Sequence, residues 1–399
     1  KCNLRIYSQI NAYLKGLKYA LTKNEAMNKK LFVSIIGLLI AVGVIVQPSI
    51  SNHAFSQEKK VLKIGYFPNI NHAQAVIGIG NGDFQKTLGD NIEIKTFLFN
   101  AGPSAIEALL AKQIDVAYIG PNPAINGYVV SEGKSLKIIG GASSGGAIFV
   151  VRNDSGINSV KDFAGKKFAS PQLGNTQDVA LRKYLLDNGY KTKDKGGNVE
   201  ILPVKNPDIL TLLLKKEIDG AWVPEPWGEK LIKEGNSRLF LDERTLWPDG
   251  KFVTANIIVN PEYLQQNPDV IRKLLAAHVN ETQWINSHKE EALTTFNTQL
   301  KSLTGQTIPE DQLTEAFSRL ELTNDPIKQS LFKSAKDAFS VGFLGKTEPD
   351  LSGIYDLTIL NEVLKSKGLV EIDGIGGEAK IVDNTNKSGQ TNVTNNPIQ

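Results

Sequence analysis

The apolar positions of residues 102–127 change period twice. Ile106, Leu109 and Leu110, flanked by Ala105 and Ala108, recur at helical spacing behind an opening Gly102-Pro103-Ser104, which predicts a helix of about three turns. Asp115 ends that pattern. Val116-Ala117-Tyr118-Ile119 is then an apolar run of strand length that stops at Gly120-Pro121-Asn122-Pro123. A second helix is predicted from Pro123-Ala124-Ile125, with its free N–H groups facing the strand end, where open parallel sheets bind ligands.

The same pattern returns in Ile209–Trp227. Leu210 falls on Ile106, Leu213 and Leu214 on Leu109 and Leu110, Ile218-Asp219 on Ile114-Asp115, and Ala221-Trp222 on Ala117-Tyr118. One copy in each half of the core predicts two similar α/β lobes facing each other across a cleft. Other strands are predicted at 61–66, 92–99, 136–141, 147–152 and 198–204, with Ala142–Gly146 as a flexible turn rich in free donors. Lys251–Asn260 reads as an extended segment crossing back to the first lobe, and helices are predicted at 268–289, 290–302, 310–319, 326–341 and 354–367. The expected boundaries are 57–150 for the first lobe, 151–252 for the second, and 253–370 for the return with its C-terminal helices. Residues 371–399 turn to Asn, Thr, Gly and Ser, with too little apolar surface to bury, and are expected to be a disordered tail.

Charge and leader composition narrow the function. Residues 1–56 hold seven Lys/Arg and one acid, which leaves 38 bases against 41 acids in 57–399. A core of net −3 gives no global positive field for nucleic acid, so a bound anion must be held by local dipoles and a few placed side chains. Met27, Lys29-Lys30, the apolar run Leu31–Val46 and Ala54-Phe55-Ser56 together predict a signal peptide over 27–56, cleaved between Ser56 and Gln57, with an uncleaved membrane anchor as the competing reading. Residues 1–26 precede that methionine and are expected to be upstream sequence. Cys2 is the only cysteine, so the exported form carries no disulfide, thiolate metal site or thiol nucleophile. Gly78-Ile79-Gly80-Asn81-Gly82 is no dinucleotide fingerprint, because it follows a helical stretch rather than a strand. His72, His278 and His288 are the histidines beyond the leader, with the last two expected on surface helix faces. No metal-ligand spacing or nucleophile–base pairing appears, so neither a metal, a cofactor nor a catalytic residue is expected.

The segments IGYFPNINHA, AGPSAIEALLAKQIDVAYIGPNPA, SGINSVKDFAGKKFA, GNTQDVALRKYL and EIDGAWVPEPWGEKL resemble the periplasmic substrate-binding proteins of nitrate, sulfonate and taurine ABC importers, a family with thiamin-pyrimidine-binding relatives. The resemblance runs from about Leu62 to Leu369. It implies the two-lobed type II periplasmic-binding-protein fold, each lobe a mixed sheet flanked by helices, joined by two hinge segments. It also implies a monomer in the periplasm that captures an oxyanion such as an aliphatic sulfonate and delivers it to a permease and its ATPase.

The implied site is Asn69, His72, Ser104, Asn122, Pro123, Ser143 and Ser144 on the first lobe. On the second it is Gly174, Asn175, Thr176, Gln177, Glu225 and Trp227. Each water contact that a buried oxyanion loses must be replaced by a donor. Helix-start N–H groups and the hydroxyls of Ser104, Ser143 and Thr176 are expected to supply that set, with Trp227 covering an organic part. Glu225 is expected either to pair with the ammonium of an amino-sulfonate or to face solvent. The alternatives on this fold are a binder of a pyrimidine or thiamin precursor, and a pyrimidine-synthase-like enzyme.

Overall fold

The computed structural model describes residues 59–372; the expected upstream segment and signal peptide, and the tail from 373 onward, lie outside the described residues. Eleven strands form two mixed sheets among the described residues. The first has the order β11-β4-β10-β3-β1-β2 and the second β7-β6-β8-β5-β9. In the first sheet β1 (Lys60–Tyr66) runs parallel to β2 (Ile92–Leu98) and β3 (Val116–Ile119), and β10 (Val253–Val259) lies antiparallel to β3 and to β4 (Lys137–Gly145). In the second, β6 (Lys167–Pro171) is parallel to β7 (Glu200–Val204) and β8 (Gly220–Pro224), and β5 (Ala147–Arg152) is antiparallel to β8 and β9 (Ser237–Asp242).

The duplication has a physical counterpart in this topology. Asp115 accepts the Lys63 N–H through Oδ2 at 2.9 Å and returns its own N–H to the Lys63 carbonyl at 2.9 Å. Asp219 does the same to Lys167, at 2.9 and 2.7 Å. One offset of 104 residues relates both pairs. The repeated aspartate therefore sets the register of each central strand on its parallel neighbour.

Strand alternation divides the apolar side chains between two faces of each sheet. Leu62, Ile64, Val116, Tyr118 and Ile257 pack under the helices Ala73–Gly80 and Pro268–Ser287, whereas Ala117, Ile119 and Ile258 pack against Gly102–Leu110 and Pro121–Val130. In the second lobe Ile148, Val150 and Val223 face Ile209 and Leu213 of the helix Asn206–Leu214. Phe149, Phe168 and Trp222 face Leu181 and Leu185 of the helix Thr176–Asp187, with Phe149 stacked on Trp222 at 5.3 Å. Each such fully buried Val, Leu, Ile or Phe side chain contributes about 1.5–3 kcal/mol. His278 departs from the expected surface position. It is fully buried in the first core, with Nδ1 2.9 Å from the Tyr118 hydroxyl.

The chain passes between the lobes twice. The first passage is Gly145-Gly146, not the expected 150/151, because β5 belongs wholly to the second sheet. Both glycines have positive φ, +77° and +73°, which other residues rarely adopt. The expected turn Ala142–Gly146 is largely strand. Ser143 pairs with Ala255 and Leu322, and Ser144 with Val253 and Glu321, because β11 (Leu320–Leu322), too short to be legible in the sequence, covers that edge of β4.

The second passage leaves β9 at Asp242 and reaches β10 through Glu243–Leu246 and Pro248–Gly250. Glu243 is buried there and accepts from Trp222 Nε1 at 2.7 Å and Trp247 Nε1 at 3.4 Å. Burial lifts its pKa from 4.5 to about 7, against the Lys333 charge and with that of Asp242. A carboxyl that holds its proton better when folded stabilises the fold fully below about 4.5, and this contribution is lost as the pH rises through 7. Glu243→Gln keeps an acceptor for Trp222, so thermal unfolding across pH 4.5–7 should show a flatter Tm profile than wild type. An unchanged slope would show that this carboxyl does not titrate in that range.

Candidate functional site

Between the lobes lies a cavity with about 350 Å³ of empty space, its open mouth included. The first lobe lines it with Phe67, Asn69, Asn71, His72, Asn100, Ala101, Gly120 and Thr254. The second contributes Asn175, Thr176, Gln177, Asn206 and Pro224. The offset of the repeat relates His72 to Thr176 and Gly120 to Pro224, so part of the lining is one local structure used twice.

Strand ends and helix starts bring these residues together. Ala101 and Gly120 precede the helices Gly102–Leu110 and Pro121–Val130, Asn175 precedes Thr176–Asp187, and Asn206 opens its own helix. None of these four starts has a side-chain cap. First-turn N–H groups have no partner within their helix, and the helix dipoles place partial positive charge there, so the converging ends favour an anion. Prolines thin the donors unequally. Pro103, Pro121, Pro123 and Pro207 remove N–H groups from three of the starts, whereas Thr176-Gln177-Asp178 keeps all of its own.

No lining residue carries a formal charge. His72 is buried, its Nδ1 accepts the Phe67 N–H at 3.4 Å, and it stacks on the Phe67 ring at 4.5 Å. Burial lowers its pKa to about 3, so it stays neutral at physiological pH with the proton on Nε2. Asn71 Oδ1, Thr176 Oγ1 and Asn206 Oδ1 are buried without a hydrogen-bond partner among the described residues. Three such atoms around one cavity are a polar demand that the protein itself leaves unmet.

Direct contacts join the lobes around this space. Asn175 Oδ1 accepts the Gly102 N–H at 3.3 Å, Ser104 Oγ exchanges bonds with the Gln172 amide at 3.1 and 3.3 Å, and Trp227 Nε1 donates to Asn69 Oδ1 at 3.1 Å. A Cβ on Gly120 would lie 2.3 Å from Thr176 Oγ1.

Of the residues expected at the site, Asn69, His72, Asn175, Thr176 and Gln177 line the cavity. The others do not. Ser104 and Trp227 make interlobe bonds beside it, Asn122 donates to the Ser334 carbonyl, and Pro123 packs beside Gly102. Ser143 bonds Thr254 Oγ1 and Ser144 accepts the Phe252 N–H, so both are spent on the β4–β10 pairing. Gly174 donates to Asp178 Oδ2, closing the turn before the helix.

Glu225 neither faces solvent nor reaches the cavity. It is fully buried, 2.6 Å from Arg319 Nη1, and accepts the Glu229 N–H at 2.9 Å. The Glu225-Pro226 peptide bond is cis. Asn71, Asn100, Asn206 and Thr254 are lining residues that the sequence reading missed. A signal existed for Asn71, the repeat partner of Asn175, and for Asn206, the repeat partner of Gly102. Among the described residues no group of three or more His, Cys, Asp or Glu side chains could hold a metal ion.

Known proteins with this arrangement share its overall course. A Brucella abortus protein described only as a candidate binding protein is 27% identical over 69% of this chain and 78% of its own length. A candidate aliphatic-sulfonate-binding protein of Bacillus subtilis is 23% identical over 69% and 80%. The crystallised alkanesulfonate-binding protein SsuA from Xanthomonas axonopodis pv. citri, bound to MOPS, superposes with a TM-score of 0.62 at 18% identity, covering 72% of this chain and 96% of its own. The fold is thus that of the periplasmic binding proteins, two mixed α/β lobes joined by two passages. The profile of the NMT1-like family matches residues 56–296, which take in both copies of the repeated unit, and the chain belongs to that family.

Proposed function

We propose that this protein is the extracytoplasmic solute receptor of an ABC importer, which holds a small oxyanion, of the taurine or alkanesulfonate kind, between its lobes. The carrying observation is the uncharged cavity on which four uncapped helix starts converge and into which three buried polar atoms bring no partner of their own. Helix-start dipoles hold an anion without the competing pull of a fixed cation, and closure removes it from water. Names of relatives that bind sulfonates support the reading. Bending at Gly145-Gly146 and at Glu243–Phe252 opens and shuts the cleft, and the shut form is what a permease and its ATPase recognise at the inner membrane. A location in the periplasm follows from this role, as does the absence of catalysis, since a receptor releases its solute unchanged.

Ligand present at a hundred times its Kd should stabilise the folded state by about 2.7 kcal/mol. Thermal unfolding with taurine, ethanesulfonate, nitrate, hydrogencarbonate and methylphosphonate tests this, with small-angle scattering to follow compaction. A panel in which no anion raises Tm would overturn the receptor reading.

A further inference from the structure

We propose that Asn71 sets ligand specificity, because its side-chain oxygen demands a hydrogen-bond donor and so selects an anion that brings its own O–H or N–H. This rests on the cavity being the solute site. Asn71 is 3% exposed and lines the cavity. Its amide cannot turn over freely. Nδ2 donates to the Gly145 carbonyl at 3.0 Å and to Thr254 Oγ1 at 3.0 Å. Thr254 in turn spends its hydroxyl proton on the same Gly145 carbonyl, at 2.6 Å. A flipped amide would set its oxygen against that carbonyl oxygen, with no proton between them. Oδ1 is thus the end left over, and it is buried without a partner among the described residues.

A carbonyl oxygen in a dry site repels a bare oxyanion. Nitrate and a plain alkanesulfonate present only acceptors, so they would leave Oδ1 unpaired beside negative charge. Hydrogencarbonate offers an O–H, and an amino-sulfonate offers an ammonium, while the anionic oxygens of each remain for the helix starts. Asn206 Oδ1, also buried without a partner among the described residues, lacks the pair of bonds from Nδ2 that fixes the Asn71 amide. Thr176 Oγ1 serves either as donor or as acceptor.

Matched pairs test the inference on the whole exported chain. Titration calorimetry would compare hydrogencarbonate with nitrate, two planar three-oxygen monoanions, and taurine with ethanesulfonate. In wild type the donor-bearing member of at least one pair should bind about tenfold more tightly or better, the effect of one unpaired buried acceptor. Asn71→Ala should bring that ratio close to one. A purely structural role would weaken both members alike and leave the ratio standing, which would overturn the assignment to Asn71. Pairs that bind equally in wild type would overturn the inference while leaving the receptor reading intact, and that result needs no variant to fold. If none of the four probes binds, both fall together.

Discussion

Arg319→Met should lower the stability of the protein by about 3–5 kcal/mol at pH 8, the usual cost of removing one member of a buried ion pair. Arg319 follows the helix Glu310–Ser318 and reaches into the second lobe. Its Nη1 lies 2.6 Å from Glu225 Oε1 and 2.9 Å from Glu229 Oε2, and its Nη2 lies 2.9 Å from Glu315 Oε1. Glu225 and Glu229 are 0 and 2% exposed, so neither charge can turn to water when the guanidinium goes. Burial already lifts the Glu225 pKa to about 6, with Arg319 opposing the rise. Without Arg319 the carboxyl takes up its proton at still higher pH. The loss in the variant should therefore shrink as the pH falls toward 5. Adding Glu225→Gln and Glu229→Gln should recover most of it, because a neutral triad carries no desolvated charge. Urea unfolding at pH 5 and pH 8 measures both effects. A loss below about 1 kcal/mol at pH 8 would place this cluster with solvent-exposed pairs.

Gly120→Val should weaken ligand binding by roughly 5- to 150-fold, an overpacking cost of about 1–3 kcal/mol, while leaving the unliganded protein as stable as wild type. Gly120 has φ −67° and ψ 159°, an extended conformation that any residue adopts, so the backbone is not strained by the change. The obstruction lies across the cleft. A Cβ at Gly120 would sit 2.3 Å from Thr176 Oγ1, and Thr176 belongs to the opposite lobe. On the proposed receptor reading, only the shut arrangement brings the two together. Calorimetry with the best ligand gives the affinity, and a melt without ligand gives the control. Unchanged affinity would mean that the solute is bound without this closure.

Much of this architecture was legible in the chain because it is local. The strand Val116–Ile119, the helix after Gly102 and the repeated aspartate all follow from periodicity and turn residues within twenty or so positions. Asn69, His72 and the Asn175–Gln177 turn entered as strand-end positions through the family resemblance, with the Gly174–Thr176 turn also legible as an N-cap. What escaped depends on distant partners. Asn71 acquires its meaning from Gly145 and Thr254, 74 and 183 residues away, and Glu225 from Arg319, 94 residues away. Neither partner leaves a trace beside the residue it fixes. His278 is different. It continues the stripe Ile271, Leu274, Leu275, Thr282 and Ile285 of its helix, so the surface expectation overlooked a helical period that points inward.

The uneven distribution of prolines gives an order of events to capture. On the proposed receptor reading, an anion drifting into an open cleft meets three helix starts with fewer donors and one, at Thr176-Gln177-Asp178, that retains all of its own. The second lobe is the landing wall. On the same proposed reading, residence there is brief until the first lobe swings over, adds His72, Asn71 and the Gly102 helix, and turns a loose encounter into a sealed one. On that reading arrival rate and dwell time are governed by different halves of the molecule, so substitutions around Thr176 should chiefly slow loading and those around Asn71 chiefly hasten escape.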